Sequence, residues 1–143
     1  MAEPKPVEVL QQDIRNRSVT VGSGHPWTGR GKEPQWSNPK SAKAYDHIER
    51  HHGPKKKPED LKGRATRTGN PQGQWLNEQG WVIAEQLTPK HPGNYVIDFK
   101  HPIGRVYHPD GALTDNVTRA FVQRRPDGTI SSAYPVTDGF VMT

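Results

Sequence analysis

The sequence predicts an α+β fold, with N-terminal helices packed on a twisted antiparallel sheet of about four strands. Helical spacing and helix stop signals gather between Ser41 and Pro89, while alternating segments parted by Pro-Asp-Gly turns fill the last third. The chain has 143 residues, only 30% of them hydrophobic, so its core is small and loops take a large share.

Residues 1–39 are rich in Gly, Pro and Ser, as in Val21-Gly22-Ser23-Gly24-His25-Pro26, and read as a lead-in or linker to a body at 40–143. Val7, Val9, Leu10 and Ile14 suit one short helix there. Trp27 and Trp36 are expected to dock on the body, because free chains are poor in aromatics. Ser41 opens a helix that runs to His52, and Gly53-Pro54 stops it. On that helix Ala44, Ile48 and His51 share a face, while His47 and His51 are surface neighbours. Pro58-Glu59-Asp60 begins a second short helix through Leu61 to about Ala65, with a proline and acids where a helix start favours them.

Gly69-Asn70-Pro71-Gln72-Gly73 is a loop. Gln74 to Leu87 carries helical periodicity, with Trp75, Gln79 and Val82 at turn spacing, and Pro89 ends it. Asn94–Phe99, Ile103–Tyr107, Val117–Gln123 and Ile130–Val136 then alternate as strands. Pro109-Asp110-Gly111 and Arg125-Pro126-Asp127-Gly128-Thr129 are the turn signals between them.

Composition excludes several classes of chemistry. There are no cysteines, so disulfide scaffolds, thiolate zinc sites and cysteine nucleophiles are ruled out. No apolar run approaches the ~18 residues of a membrane-spanning helix, so no membrane segment is expected. No charged head precedes an apolar stretch, so no secretory signal is visible. The net charge of +5 is uneven: residues 30–67 hold eleven basic and five acidic side chains, which accounts for the whole excess. A basic segment attracts polyanions in a salt-dependent way. For charge alone, a solvated lysine-rich surface is the simpler account.

The densest chemistry is His47-x-x-x-His51-His52. It lacks the Glu of a His-Glu-x-x-His metalloprotease, since Ile48 stands there. His47-Ile48-Glu49 matches the His-x-Glu of zinc deaminases without their cysteines. A His-His…Asn…His metal nuclease using Asn70 or Asn77 and His91 is the metal-dependent alternative. A metal-free ribonuclease makes different demands: a base near pH 7, a fixed cation and hydroxyl donors around the phosphate. His51 supplies the first, Arg64 the second, and Ser132 and Tyr134 the third. Residues two apart on a strand share a face, so Ser132 and Tyr134 can line one cleft.

Three segments, His47-Ile48-Glu49-Arg50-His51-His52-Gly53, Leu61-x-x-Arg64 and Ser132-Ala133-Tyr134-Pro135-Val136, together resemble the ribonuclease A-like C-terminal toxin domains of contact-dependent inhibition (CdiA-type) proteins. These polymorphic toxins sit within the wider barnase/EndoU/colicin/RelE class of small ribonucleases. The resemblance implies helices on a twisted antiparallel sheet with the cleft on the sheet. It implies a catalytic His51, with Arg64, Ser132 and Tyr134 around the phosphate, and His47 and His52 in reserve for the second proton transfer. Lys55, Lys56, Lys57, Lys62 and Arg67 would guide RNA, with Trp75 or Trp81 stacking a base. No metal or cofactor is implied. The expected partners are RNA, tRNA among the candidates, and an acidic immunity protein. The expected location is a larger exported effector that acts in the target-cell cytoplasm. A non-enzymatic module binding nucleic acid or a partner shares the basic patch without needing the matched His, Arg and Tyr.

Overall fold

A computed structural model describes residues 6–25 and 34–140. Trp27 lies outside them. The fold is α+β, as expected, but it holds two antiparallel sheets and more strands than the sequence suggests. Strands β1 (Val7–Gln12), β2 (Ser18–Gly24), β4 (Gly93–Asp98), β7 (Arg119–Arg124) and β8 (Ile130–Val136) form a five-stranded sheet in the order β2-β1-β4-β7-β8. Strands β3 (Gln72–Trp75), β5 (Gly104–Tyr107) and β6 (Leu113–Val117) form a three-stranded sheet in the order β3-β5-β6. The helices α1 (Tyr45–His52), α2 (Pro58–Thr68) and α3 (Gln79–Leu87) are not N-terminal; they lie between the strands.

Residues 7–24 are a hairpin of the main sheet, where the sequence suggested a helix in a linker. Val7 and Val9 alternate into the core, and β1 pairs with β4 from Glu8↔Asp98 to Gln11↔Tyr95. Ile14 is fully exposed at the hairpin turn, which Asp13 builds by accepting the backbone N–H groups of Arg15 and Arg17 at 2.8 and 2.9 Å. The helix expected from Gln74 to Leu87 is split. Its first residues are β3, which pairs with β5, and only Gln79–Leu87 is helical. Tertiary pairing overrides the local period there, because Gly73 lies so close to β8 that a Cβ on it would meet the Pro135 carbonyl oxygen at 2.1 Å. Strand β6 shows no hydrophobic alternation to read, since Val117 is its one buried residue.

The histidine helix is reached through a 3-10 turn, Pro39–Ala44. Asn38 caps that turn by accepting the Lys40 N–H at 3.0 Å, with Pro39 at its first position. Gly53 then ends α1 where a Cβ would strike the Glu49 carbonyl oxygen at 2.5 Å. Helix α2 starts at Pro58, with Glu59 and Asp60 in its first turn, and ends at Gly69 in the left-handed region, φ 71°.

One face of the main sheet carries Val7, Val9, Tyr95, Ile97, Ala120, Val122 and Ala133. It packs against Ile48, Trp75, Trp81 and Ala84 in the larger core. Trp36 docks on this core and meets Tyr45 edge-on at 6.5 Å, as its aromatic character implied. The other face carries Leu10, Val96, Phe121 and Val136, with Tyr134 and Phe140 laid against them. Among the described residues no helix contributes to this second cluster, and the candidate cleft, which Tyr134, Val136 and Phe140 also line, opens beside it.

Candidate active site

The C-terminal turn of α1, the strand β3 and the strand β8 meet at a cleft of about 470 Å³ lined by His52, Asn70, Gln72, Tyr134, Val136 and Phe140, among others. Its two titratable side chains face each other, with the His52 and Tyr134 rings 4.9 Å apart between centroids. Tyr134 is seated by Phe121, its register partner on β7, at 5.3 Å.

The state of His52 follows from its partner. Its Nδ1 lies 2.8 Å from the Gly73 carbonyl oxygen. A carbonyl can only accept, so Nδ1 carries the proton and Nε2 is left as a lone-pair acceptor. Burial pushes the His52 pKa down to about 4, and the cations of Arg64, His51 and His47 add to that, against the bond to Gly73. His52 is therefore a neutral imidazole at pH 7. Burial raises the Tyr134 pKa, so its phenol keeps its proton and can donate.

His51 has the opposite arrangement. Its Nδ1 lies 2.9 Å from Arg64 Nη1, and a guanidinium can only donate, so the ring proton sits on Nε2. Arg64 Nη2 also donates to the His51 carbonyl, and Arg64 Nε donates to Gln72 Oε1 at 2.7 Å. The guanidinium thus ties the end of α1 to a lining residue of the cleft. Burial and the nearby Arg67 lower the Arg64 pKa, yet an arginine stays cationic. Burial, then the charges of His47 and Arg64, lower the pKa of His51. The rings form a row, with His47 4.5 Å from His51 and His51 6.4 Å from His52.

The cleft holds an imidazole and a phenol, but the imidazole is His52 rather than His51, and the Arg64 guanidinium stands beside the cleft, bonded to its lining residue Gln72, rather than in it. Ser132 and Tyr134 are two residues apart on β8, paired with Gln123 and Phe121 of β7. Ser132 nevertheless does not line the cleft, and His47 lines a different hollow. Among the basic residues, Lys55 pairs with Glu78 at 3.9 Å and Lys56 with Asp60 at 3.8 Å. Lys57, Lys62 and Arg67 are exposed. Trp75 and Trp81 are 1% and 0% exposed, so neither is open to a base, and Trp75 Nε1 donates to the Ala133 carbonyl at 3.0 Å.

Gln72, which lines the cleft, and the Gly73 carbonyl, which holds His52, lie in a segment that the sequence presents only as a loop, while Asn70, weighed there as part of a metal nuclease, lines the cleft as well. Their signal was the glycine and amide content of 69–73, which a turn explains equally well. Among the described residues, no three His, Cys, Asp or Glu side chains are grouped to hold a metal ion. Among them, too, no helix is long and apolar enough to cross a membrane. No family model, curated protein or solved structure matches this chain.

Gly73 is the joint of this arrangement. A Gly73→Ala chain must push β3 away from the Pro135 backbone, and the carbonyl that holds His52 moves with it. The expected cost is about 1–3 kcal/mol in urea unfolding, together with a changed His52 resonance in imidazole NMR. An unaltered His52 signal would show that this carbonyl does not set the ring.

Proposed function

We propose that the chain is a metal-independent endoribonuclease that cleaves RNA through attack by its own 2′-hydroxyl. The observation that carries this is the pairing, in one cleft, of a neutral His52 with an acceptor Nε2 and a protonated Tyr134 phenol 4.9 Å away between ring centroids. His52 Nε2 takes the 2′-hydroxyl proton as the 2′-oxygen attacks phosphorus. Tyr134 O–H donates to a non-bridging phosphate oxygen, and the Arg64 cation beside the cleft opposes the added negative charge. The bond from phosphorus to the 5′-oxygen breaks, that oxygen leaves with a proton from solvent water, and the His52 imidazolium returns its proton to the hydroxide so formed. The products are a 2′,3′-cyclic phosphate and a 5′-hydroxyl.

The motif order supports a more specific reading, that of a polymorphic toxin's effector domain of the CdiA ribonuclease A-like kind. On that reading the domain is delivered within a larger exported protein, acts in the target-cell cytoplasm, and is neutralised by an acidic immunity protein covering the cleft.

Incubating the purified chain with end-labelled RNA in EDTA tests the activity. The expected result is cleavage, with fragments ending in 2′,3′-cyclic phosphate. Cleavage that appears only on adding a divalent ion would instead identify a metal nuclease. Binding without cleavage would identify a nucleic-acid-binding module.

A further inference from the structure

A second hollow, of about 300 Å³, lies at the far end of the histidine row and is lined by Lys40, Lys43, His47 and Arg125 with the buried Ala44 and Ile130. Its cations come from parts of the chain far apart in sequence. Lys40 and Lys43 stand on the 3-10 turn, and Arg125 on the turn between β7 and β8. The fold clamps the two together, because the fully buried Ser41 accepts the Ile130 N–H on its Oγ at 3.1 Å.

Charge is left over here. Among the described residues, no carboxylate forms an ion pair with Lys40, Lys43 or Arg125. Among the described residues Asp127 is the one acid in the lining; its Oδ1 accepts from Thr129 Oγ1 at 2.6 Å and Thr129 N at 3.0 Å, and these bonds, with the charges of Arg125 and Lys40, hold its carboxyl below the usual range. Three cations thus face one carboxylate, and the hollow keeps a positive excess. That set, two ammonium groups and one guanidinium around a hollow, is the chemistry that holds a phosphate. The lysine run at 55–57 makes a weaker claim, because Lys55 and Lys56 already have acidic partners.

His47 belongs to this hollow and His52 to the cleft, and the ring of His51 stands between them. We propose that the Lys40–Lys43–Arg125 hollow is a phosphate subsite that holds the backbone of the same RNA strand on a nucleotide flanking the cleaved phosphate. The identity of the polymer rests on the ribonuclease reading; the affinity for an anion rests on the hollow alone.

Inorganic phosphate titrated into the full chain at low ionic strength, followed by backbone amide shifts, tests the anion site. Shifts are expected at Ala44, Arg125 and Thr129, and a Lys43→Ala/Arg125→Ala chain should lose them. Both replaced side chains are exposed, so the fold should survive. Single strands of 2′-deoxynucleotides, which lack the attacking hydroxyl, then test reach. Wild type should prefer a tetranucleotide to a dinucleotide, and the double variant should lose at least fivefold of that preference. Its log–log salt slope should fall by about 0.7 for each phosphate contact removed. Absence of phosphate shifts at this hollow, or their persistence in the double variant, overturns the subsite. Neither readout needs cleavage. An inactive chain that binds phosphate here would sink the ribonuclease reading alone, and an active one that does not would sink the subsite alone.

Discussion

Replacing His52 by Asn should give a folded protein whose RNA cleavage is slower by about 10²–10⁴-fold, the usual worth of a positioned general base. The choice of Asn matters. Its amide can still donate to the Gly73 carbonyl that Nδ1 of His52 now reaches at 2.8 Å, so that bond is kept and only the Nε2 acceptor is lost. His51→Ala should act differently, because it frees Arg64 Nη1 from its bond and loosens a positioning contact rather than removing the base. The pH profile separates the two roles. With the His52 pKa near 4, the acid limb of kcat/KM should lie near pH 4, not near the ~6.5 of an ordinary histidine. The phenol of Tyr134, raised by burial, keeps its proton to beyond its ordinary value near 10, so the plateau should be broad. The same shift acts on stability. The unfolded chain takes up the His52 proton near pH 6.5, whereas the folded chain resists until about 4. Stability is therefore full above pH 6.5 and declines as the pH falls to 4, by on the order of 3 kcal/mol. His52→Asn should remove that component of the decline in urea melts. Unchanged cleavage by folded His52→Asn chains would end the assignment.

The parts of the site that could be read from sequence were those with local signals. The end of α1 is written by Gly53-Pro54, and the hairpin of β7 and β8 by Pro126-Asp127-Gly128, whose glycine sits at φ 87°. Those two signals bring the histidines and Tyr134 within reach of one another. The choice between His51 and His52 could not be read in the same way. It depends on a carbonyl 21 residues away, at Gly73, in a strand whose pairing with β5 no local pattern announces. The hairpin of β1 and β2 was hidden for a similar reason, since Val7 and Val9 are too few to distinguish a strand's period from a helix's. The phosphate-sized hollow joins Lys40 to Arg125 through a bond between Ser41 and Ile130, a contact across the fold that spacing along the chain does not carry.

The same long-range logic governs how the histidine helix is anchored, and it yields the largest expected effect on stability. Glu85 and Arg124 are both completely buried, with Arg124 Nη1 3.4 Å from Glu85 Oε2. The carboxylate is also held from the opposite side. It accepts from Ser37 N at 2.6 Å, Ser37 Oγ at 2.7 Å and Asn38 N at 3.1 Å. Arg124 in turn donates to the Gly128 carbonyl at 2.6 Å and to Thr88 Oγ1 at 2.8 Å. Asn38 caps the 3-10 turn that leads directly into α1. The pair therefore fixes where the first histidine helix begins, from a position in the core far from the cleft. Removing one partner leaves a buried charge without its counter-ion, which costs about 3–5 kcal/mol, a large share of the ~5–15 kcal/mol available to a domain. Glu85→Leu and Arg124→Met should each show that loss in urea unfolding. The double variant should cost well under their sum, because the second change removes the charge that the first one orphaned. Glu85→Leu should also speed hydrogen exchange along residues 39–52, since Ser37 and Asn38 lose their acceptor. Single variants that lose less than about 1 kcal/mol would mean that solvent reaches this pair and that α1 takes its position from packing on Ile48 alone.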